Sequence, residues 1–176
     1  QPIDAWNTSQ VTTFSYMFYG ATSFNQPIEL WKIGNATKIA HMFDQATSFN
    51  QPLSSWDVSK VTSMEGAFKN AHSFNQPIGH WNVSIVTDMS SMFSDASSFN
   101  QPIGAWDVSN VTNLNGLFRN ASSFNQPIGA WDVSSMRSAS NIFTGANSFN
   151  QPIENWNVRQ MNEDHMIFSN VTYCRL

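Results

Sequence analysis

Apolar residues along this chain recur in files 25 residues apart. All seven Trp (Trp6, Trp31, Trp56, Trp81, Trp106, Trp131 and Trp156) keep that spacing, as do all seven Pro, from Pro2 to Pro152. Thirteen of the fourteen Phe fall into two further files, Phe18 to Phe168 and Phe24 to Phe149. A fixed period of about 20–50 residues marks an architecture in which each unit stacks on its neighbours. Propeller blades need about 40 residues or more, so one coil of a solenoid per unit fits best.

The spacing inside a unit predicts its elements. Ile103, Trp106 and Val108 obey the L-x-x-L-x-L pattern of a leucine-rich-repeat strand. The step from Trp106 to Val108 is strand alternation, with Asp107 outward between two inward side chains. Val111, Leu114, Leu117, Phe118 and Ala121 follow at offsets of three, three, one and three, which predicts a short α or 3-10 turn over residues 112–119. Pro102 precedes the strand, fixing φ and holding Gln101 extended. The Asn100-Gln101 pair supplies amides for turn backbone or for a ladder from coil to coil. The predicted fold class is therefore a repeat solenoid, leucine-rich-repeat-like, of seven 25-residue coils, each a short parallel β-strand plus a short α/3-10 turn. One coil alone buries too little apolar surface to offset the ordering of its backbone, so the core must be shared.

Residues 1–161 read as one tandem array, and residues 162–176 as a degenerate C-terminal capping segment. There Asp164 stands in the file of Leu114 and Cys174 in the file of Phe124, while Arg159 just before it replaces a Ser. Atypical terminal units act as caps. The first unit keeps the pattern through Val11, Phe14, Met17, Phe18 and Ala21, so further repeats or a partner chain are expected to cover the Gln1 end. The chain opens in mid-unit without an initiator Met, which reads as a processed product or a piece of something longer.

Composition narrows the partners. Charged residues make up 11% and the net charge is −4, so no basic field is available to hold a nucleic acid. No apolar run approaches the roughly 18 residues of a membrane span, and none reads as a signal peptide. Cys174 is the only cysteine, which excludes an internal disulfide and leaves two readings: a buried thiol, or a link to another chain.

Candidate chemistry is sparse. His41, His72, His80 and His165 fall in four different phases of the repeat, so stacking does not gather them. Asp4, Glu29 and Glu154 share a phase, and Asp4 with Glu29 on adjacent coils is a weak cation candidate. No phosphate loop and no metal spacing of Cys or His is present, so no catalytic residue, metal or cofactor is assigned and the chain reads as a non-enzyme. The outward column Asn7, Lys32, Asp57, Asn82, Asp107, Asp132 and Asn157, about 4.8 Å per coil if strands pair, reads either as a hydrogen-bonded ladder or as a row binding carbohydrate, calcium or a protein ligand. The file Thr12, Thr37, Thr62, Thr87 and Thr112 offers a second row that could order water. Six glycosylation sequons begin at Asn7, Asn35, Asn82, Asn110, Asn120 and Asn170, all in three outward phases.

The run FNQPIGAWDVSNVTNLNGLF at residues 99–118 closely resembles the repeat of BspA-type leucine-rich-repeat surface proteins, in a 25-residue branch known from bacterial surface lipoproteins. The resemblance covers residues 1–161 and departs from the general leucine-rich template at Val111, where that template has Asn or Cys. It implies an extracellular or surface-anchored repeat protein associated with adhesion or with no assigned activity. Taken with the periodicity, the expectation is a non-enzymatic structural or adhesive protein of a cell surface, coat or filament, self-associating end to end. The alternative is a recognition module that binds glycan or protein along the Asp/Asn column.

Overall fold

The computed structural model describes residues 3–159. These comprise six complete coils (residues 3–27, 28–52, 53–77, 78–102, 103–127 and 128–152) and the opening of a seventh at 153–159.

Each coil is a succession of β-turns. In the fifth coil the N–H of Trp106 donates to the C=O of Ile103 (3.1 Å), Val111 to Val108 (2.9 Å), Leu117 to Leu114 (3.1 Å), Ala121 to Phe118 (3.0 Å) and Phe124 to Ala121 (3.0 Å). Every one of these first and fourth residues is buried. The two central residues of each turn are small or polar, as in Ser109-Asn110 and Arg119-Asn120. Two turns per coil carry a left-handed residue in third place: Gly116 at φ +60° and Asn120 at φ +56° in this coil. A positive φ at that place alone is the type II signature.

This corrects the fold class predicted from the sequence. Among the described residues there is no helix and no strand, and the leucine-rich-repeat-like solenoid of strand plus α/3-10 turn is not what the chain forms. The spacing of three that predicts a helical turn over 112–119 belongs instead to turns whose ends point inward. A right-handed helix cannot run through Gly116 and Asn120 in left-handed geometry. The predicted strand at 103–108 fails for a different reason: its backbone makes no coil-to-coil ladder. Parallel pairing is confined to single bridges in another phase, Thr13↔Lys38, Lys38↔Ser63, Ser63↔Asp88, Asp88↔Asn113 and Asn113↔Ser138.

Further sets of bonds join the coils. Beside those bridges, alternate backbone N–H groups all point to the following coil: Leu114 to Ser138 C=O (2.8 Å), Gly116 to Ser140 (2.8 Å), Phe118 to Ile142 (2.9 Å) and Asn120 to Thr144 (2.7 Å). Asn side chains form a ladder, in which the Asn100 Oδ1 accepts from the Asn125 N–H (2.9 Å) and from the Gln126 side-chain amide (2.9 Å). From Trp31 onward each Trp indole N–H reaches back to the preceding coil, as Trp106 Nε1 donates to Ile78 C=O at 3.2 Å.

Inside this frame the rings stack by file. Phe118 lies 3.9 Å from Phe124 in its own coil, and 5.9 and 5.8 Å from Phe93 and Phe143 in the coils on either side. Such pairs contribute about 0.5–1.5 kcal/mol each beyond simple burial. Trp31 and the five Trp after it are 2–6% exposed, whereas Trp6 is 56% exposed, for no described coil lies on its outer side.

Candidate functional surface

The outward column is built by its own turns. Asp107 Oδ1 accepts from the Ser109 backbone N–H (3.1 Å) and hydroxyl (2.6 Å), closing an Asx turn that opens the 108–111 β-turn. Asn7 and Asn82 hold Ser9 and Ser84 in the same way, Asp57 and Asp132 bond the N–H of Ser59 and Ser134, and Asn157 Oδ1 lies 3.5 Å from the Arg159 nitrogen. The Ser hydroxyl first, then the backbone N–H, holds the carboxyls of Asp57, Asp107 and Asp132 below the ordinary carboxylate value. Every member of the column is exposed. One side-chain oxygen of each Asp and Asn in the column is thus spent on local structure. The second coil interrupts the pattern with Lys32 and Gly34; a Cβ on Gly34 would lie 3.1 Å from Asp57 Oδ2.

The Thr file is also committed. Thr37, Thr62, Thr87 and Thr112 each donate the hydroxyl to the carbonyl of the Thr one coil earlier, at 3.1–3.3 Å. Five sequon asparagines, Asn7, Asn35, Asn82, Asn110 and Asn120, are exposed. The side-chain amides of Asn35, Asn110 and Asn120 donate to Ser9 C=O, Ser84 C=O and Asp95, respectively. Those of Asn7 and Asn82 donate to nothing among the described residues. Asn170, His165, Cys174 and the capping segment 162–176 lie outside the described residues.

The four histidines do not meet. His72 Nδ1 lies 2.8 Å from Asp95 C=O, while His80 is exposed. His41 is held between carboxylates, its Nδ1 3.0 Å from the buried Asp44 and its Nε2 3.6 Å from Glu65, with Tyr16 stacked on the ring at 4.9 Å. Asp44 is held in turn by the Asn70 side-chain amide at 3.1 Å. Asp4 and Glu29 make no bond with each other; the Glu29 carboxylate accepts instead from the Ser54 hydroxyl, and the Glu29 backbone C=O from the Ser55 hydroxyl. Among the described residues no group of three or more His, Cys, Asp or Glu converges as a metal site, and no helix is long and apolar enough to cross a membrane.

The feature that sequence reading left undefined is the shape of the outer face of the first coil. Trp6, Tyr16, Met17 and Tyr19 are 56, 58, 42 and 51% exposed, although their counterparts Trp31 and Met42 are 2 and 0% exposed. Polar groups on the same face lack the partners their counterparts have. The Trp6 indole N–H and the backbone N–H groups of Thr12, Ser23 and Asn25 meet no acceptor among the described residues, and the carbonyls of Thr13, Ser15, Met17 and Tyr19 meet no donor. The file of Val11, Phe18 and Phe24 signalled an apolar end; the polar register came only from the turn geometry.

The family model described as "Mycoplasma protein of unknown function, DUF285" matches residues 1–93 and again 62–175. The two matches overlap, as a model longer than one unit does when units are interchangeable. No curated protein and no solved structure matches the chain. Through those two matches, which together span nearly its whole length, the chain belongs to the DUF285 family.

Proposed function

We propose that this chain is a non-enzymatic, extracellular structural or adhesive repeat protein of a cell surface, coat or filament, and that it associates end to end. Within the DUF285 family we place it with the 25-residue branch of BspA-type surface proteins, on the strength of its FNQPI and WDVS segments. The observation that carries the reading is the strict register of the coils, in which the Phe and Asn files of each coil meet the same files of its neighbours, so that one coil is built to stack on another. The outward column supports a structural role rather than ligand capture, because one oxygen of each Asp and Asn is engaged by the turn it opens, that of Asn157 only at the 3.5 Å limit.

Sedimentation and negative-stain electron microscopy of the purified chain test the reading, with elongated particles that lengthen with concentration as the expected result. A monodisperse monomer at every concentration would overturn it. The Asp107→Ala/Asp132→Ala double variant separates the recognition alternative: assembly persists if the column is structural, whereas capture of a glycan or protein ligand is lost if it binds.

A further inference from the structure

We propose that a cleft over Gly116 binds the oxyanion, carboxylate or sulfate, of an acidic oligosaccharide. The file Tyr16, His41, Gly66, Ser91, Gly116 and Asn141 is left-handed throughout and lacks a side chain at its two glycines. The first gap is filled from the coil before. The His41 ring covers Gly66 so closely that a Cβ there would lie 2.4 Å from its Nδ1. Asp44 and Glu65 hold that ring by its two nitrogens, at 3.0 and 3.6 Å. The second gap stays open. Ser91, two coils after His41, is too short to fill it, and a Cβ on Gly116 would meet only the Ser91 Oγ at 3.4 Å and the Arg119 Cβ at 3.8 Å. What is left is a solvent-open cleft of about 290 Å³, lined by Ser91, Asn115, Gly116, Arg119, Ser140 and Asn141.

The residue changes that empty the cleft also reverse its polarity. Ser94 and Asn115 stand in the places of Asp44 and Glu65, and Arg119 in that of Lys69, so no carboxylate lines it. Its donors are uncommitted. The Arg119 guanidinium and the hydroxyls of Ser91 and Ser140 have no partner among the described residues. Asn115 Oδ1 accepts from the Ser138 hydroxyl and the Ser140 N–H, which leaves its Nδ2 free to donate. Asp95 comes close enough for its N–H to reach the Arg119 C=O at 2.6 Å. Its carboxylate, however, is taken by the Asn120 amide (2.8 Å) and the Ser94 hydroxyl (2.9 Å). A guanidinium beside hydroxyl and amide donors, with no acid to neutralise it, suits an oxyanion that accepts from several donors at once. The body of the ligand is a sugar because the rim offers polar groups alone. A peptide needs an apolar or aromatic anchor, and the exposed Leu30 and Ile85 lie in other phases of the repeat. His41 occupies the equivalent place over Gly66, so that earlier gap is no second site.

Titration with tetragalacturonate, with a sulfated galactotetraose and with neutral galactotetraose tests the site, read by calorimetry and by the Arg119 Nε–H signal in NMR. Each acidic saccharide is expected to bind and to shift that signal, and the neutral one is not. Arg119→Gln should weaken binding about ten-fold or more, the worth of one charge-assisted hydrogen bond. Ser91→His should do the same by rebuilding the His41 arrangement, on a backbone already at φ +54° against the +53° of His41. Arg137→Gln, which removes an exposed guanidinium in another phase, should leave binding unchanged. Binding that survives both Arg119→Gln and Ser91→His would overturn the site. Neutral galactotetraose binding as tightly as the acidic saccharides would overturn the oxyanion, and tetraglutamate doing so would overturn the sugar. No binding of either acidic saccharide would overturn the whole inference, whatever the chain's state of association.

Discussion

Asp107 shows how a solvent-facing residue is tied to the fold. Its carboxylate accepts two hydrogen bonds from Ser109, and these favour the charged form over the neutral one. The carboxyl therefore titrates below its ordinary value of 3.8 in the folded chain. A group depressed on folding contributes stability above its unfolded pKa, and that contribution fades as the pH falls through the folded value. The loss belongs to the acid side of pH 3.8, and neutral solutions do not sense it. Ser109→Ala removes the larger of the two bonds and keeps the backbone one. Carbon-detected carboxyl titration should then show Asp107 moving up toward its ordinary value while Asp132, held by its own Ser134, stays in place. Equal movement of both would mean that the column titrates through mutual repulsion rather than through its turns.

At the scale of the element, the question is why an apolar spacing of three makes turns here and not a helix. Both structures bring residues i and i+3 to one side, so the spacing of Leu114 with Leu117 and of Phe118 with Ala121 does not discriminate between them. The discriminating signal is a pair of files in which the backbone is left-handed: Tyr16, His41, Gly66, Ser91, Gly116 and Asn141, and then Gly20, Gln45, Asn70, Asp95, Asn120 and Gly145. Gly and Asn, which adopt this geometry most readily, are frequent in both files, and that much was legible in the sequence. Tyr16, His41 and Gln45 masked it, because a bulky residue at positive φ is uncommon and is held only by its surroundings, here the stack of Tyr16 on His41. The Trp, Phe and Pro files were legible for a simpler reason: they depend on burial alone, and burial repeats with the chain. Ser91, at φ +54°, separates the two structures experimentally. In a helix Ser91→Gly would cost about 0.5–1 kcal/mol. In a left-handed turn it relieves about 1–2 kcal/mol of strain, less part of that for the added chain entropy. Urea unfolding should show a net gain of about 0.5–1 kcal/mol, and a loss would reinstate the helical turn.

Across the whole molecule, the coils are interchangeable because each presents the same groups in the same register to both neighbours. Asn50, Asn75, Asn100, Asn125 and Asn150 each donate the backbone N–H to the side-chain oxygen of the Asn 25 residues earlier, at 2.9–3.0 Å, and Trp56 to Trp156 each reach the carbonyl 28 residues back at 3.1–3.4 Å. Stability in such an array is a sum of unit and interface terms. Removing residues 103–127 joins Pro102 to Ile128 and sets Phe93 against Phe143, a pairing equivalent to the one each already makes with Phe118. The shortened chain should fold cooperatively, with a urea m-value lower by roughly one-sixth, since one coil of six no longer contributes surface to unfolding. Removing residues 103–114 instead shifts every file by about half a coil, placing polar turn centres where Phe and Trp must stack, and that chain should not fold. If both deletions unfold alike, the units are not independent carriers of the core, and stacking by register does not hold the molecule together. If both fold, the hydrogen-bond register between coils is not what selects the structure.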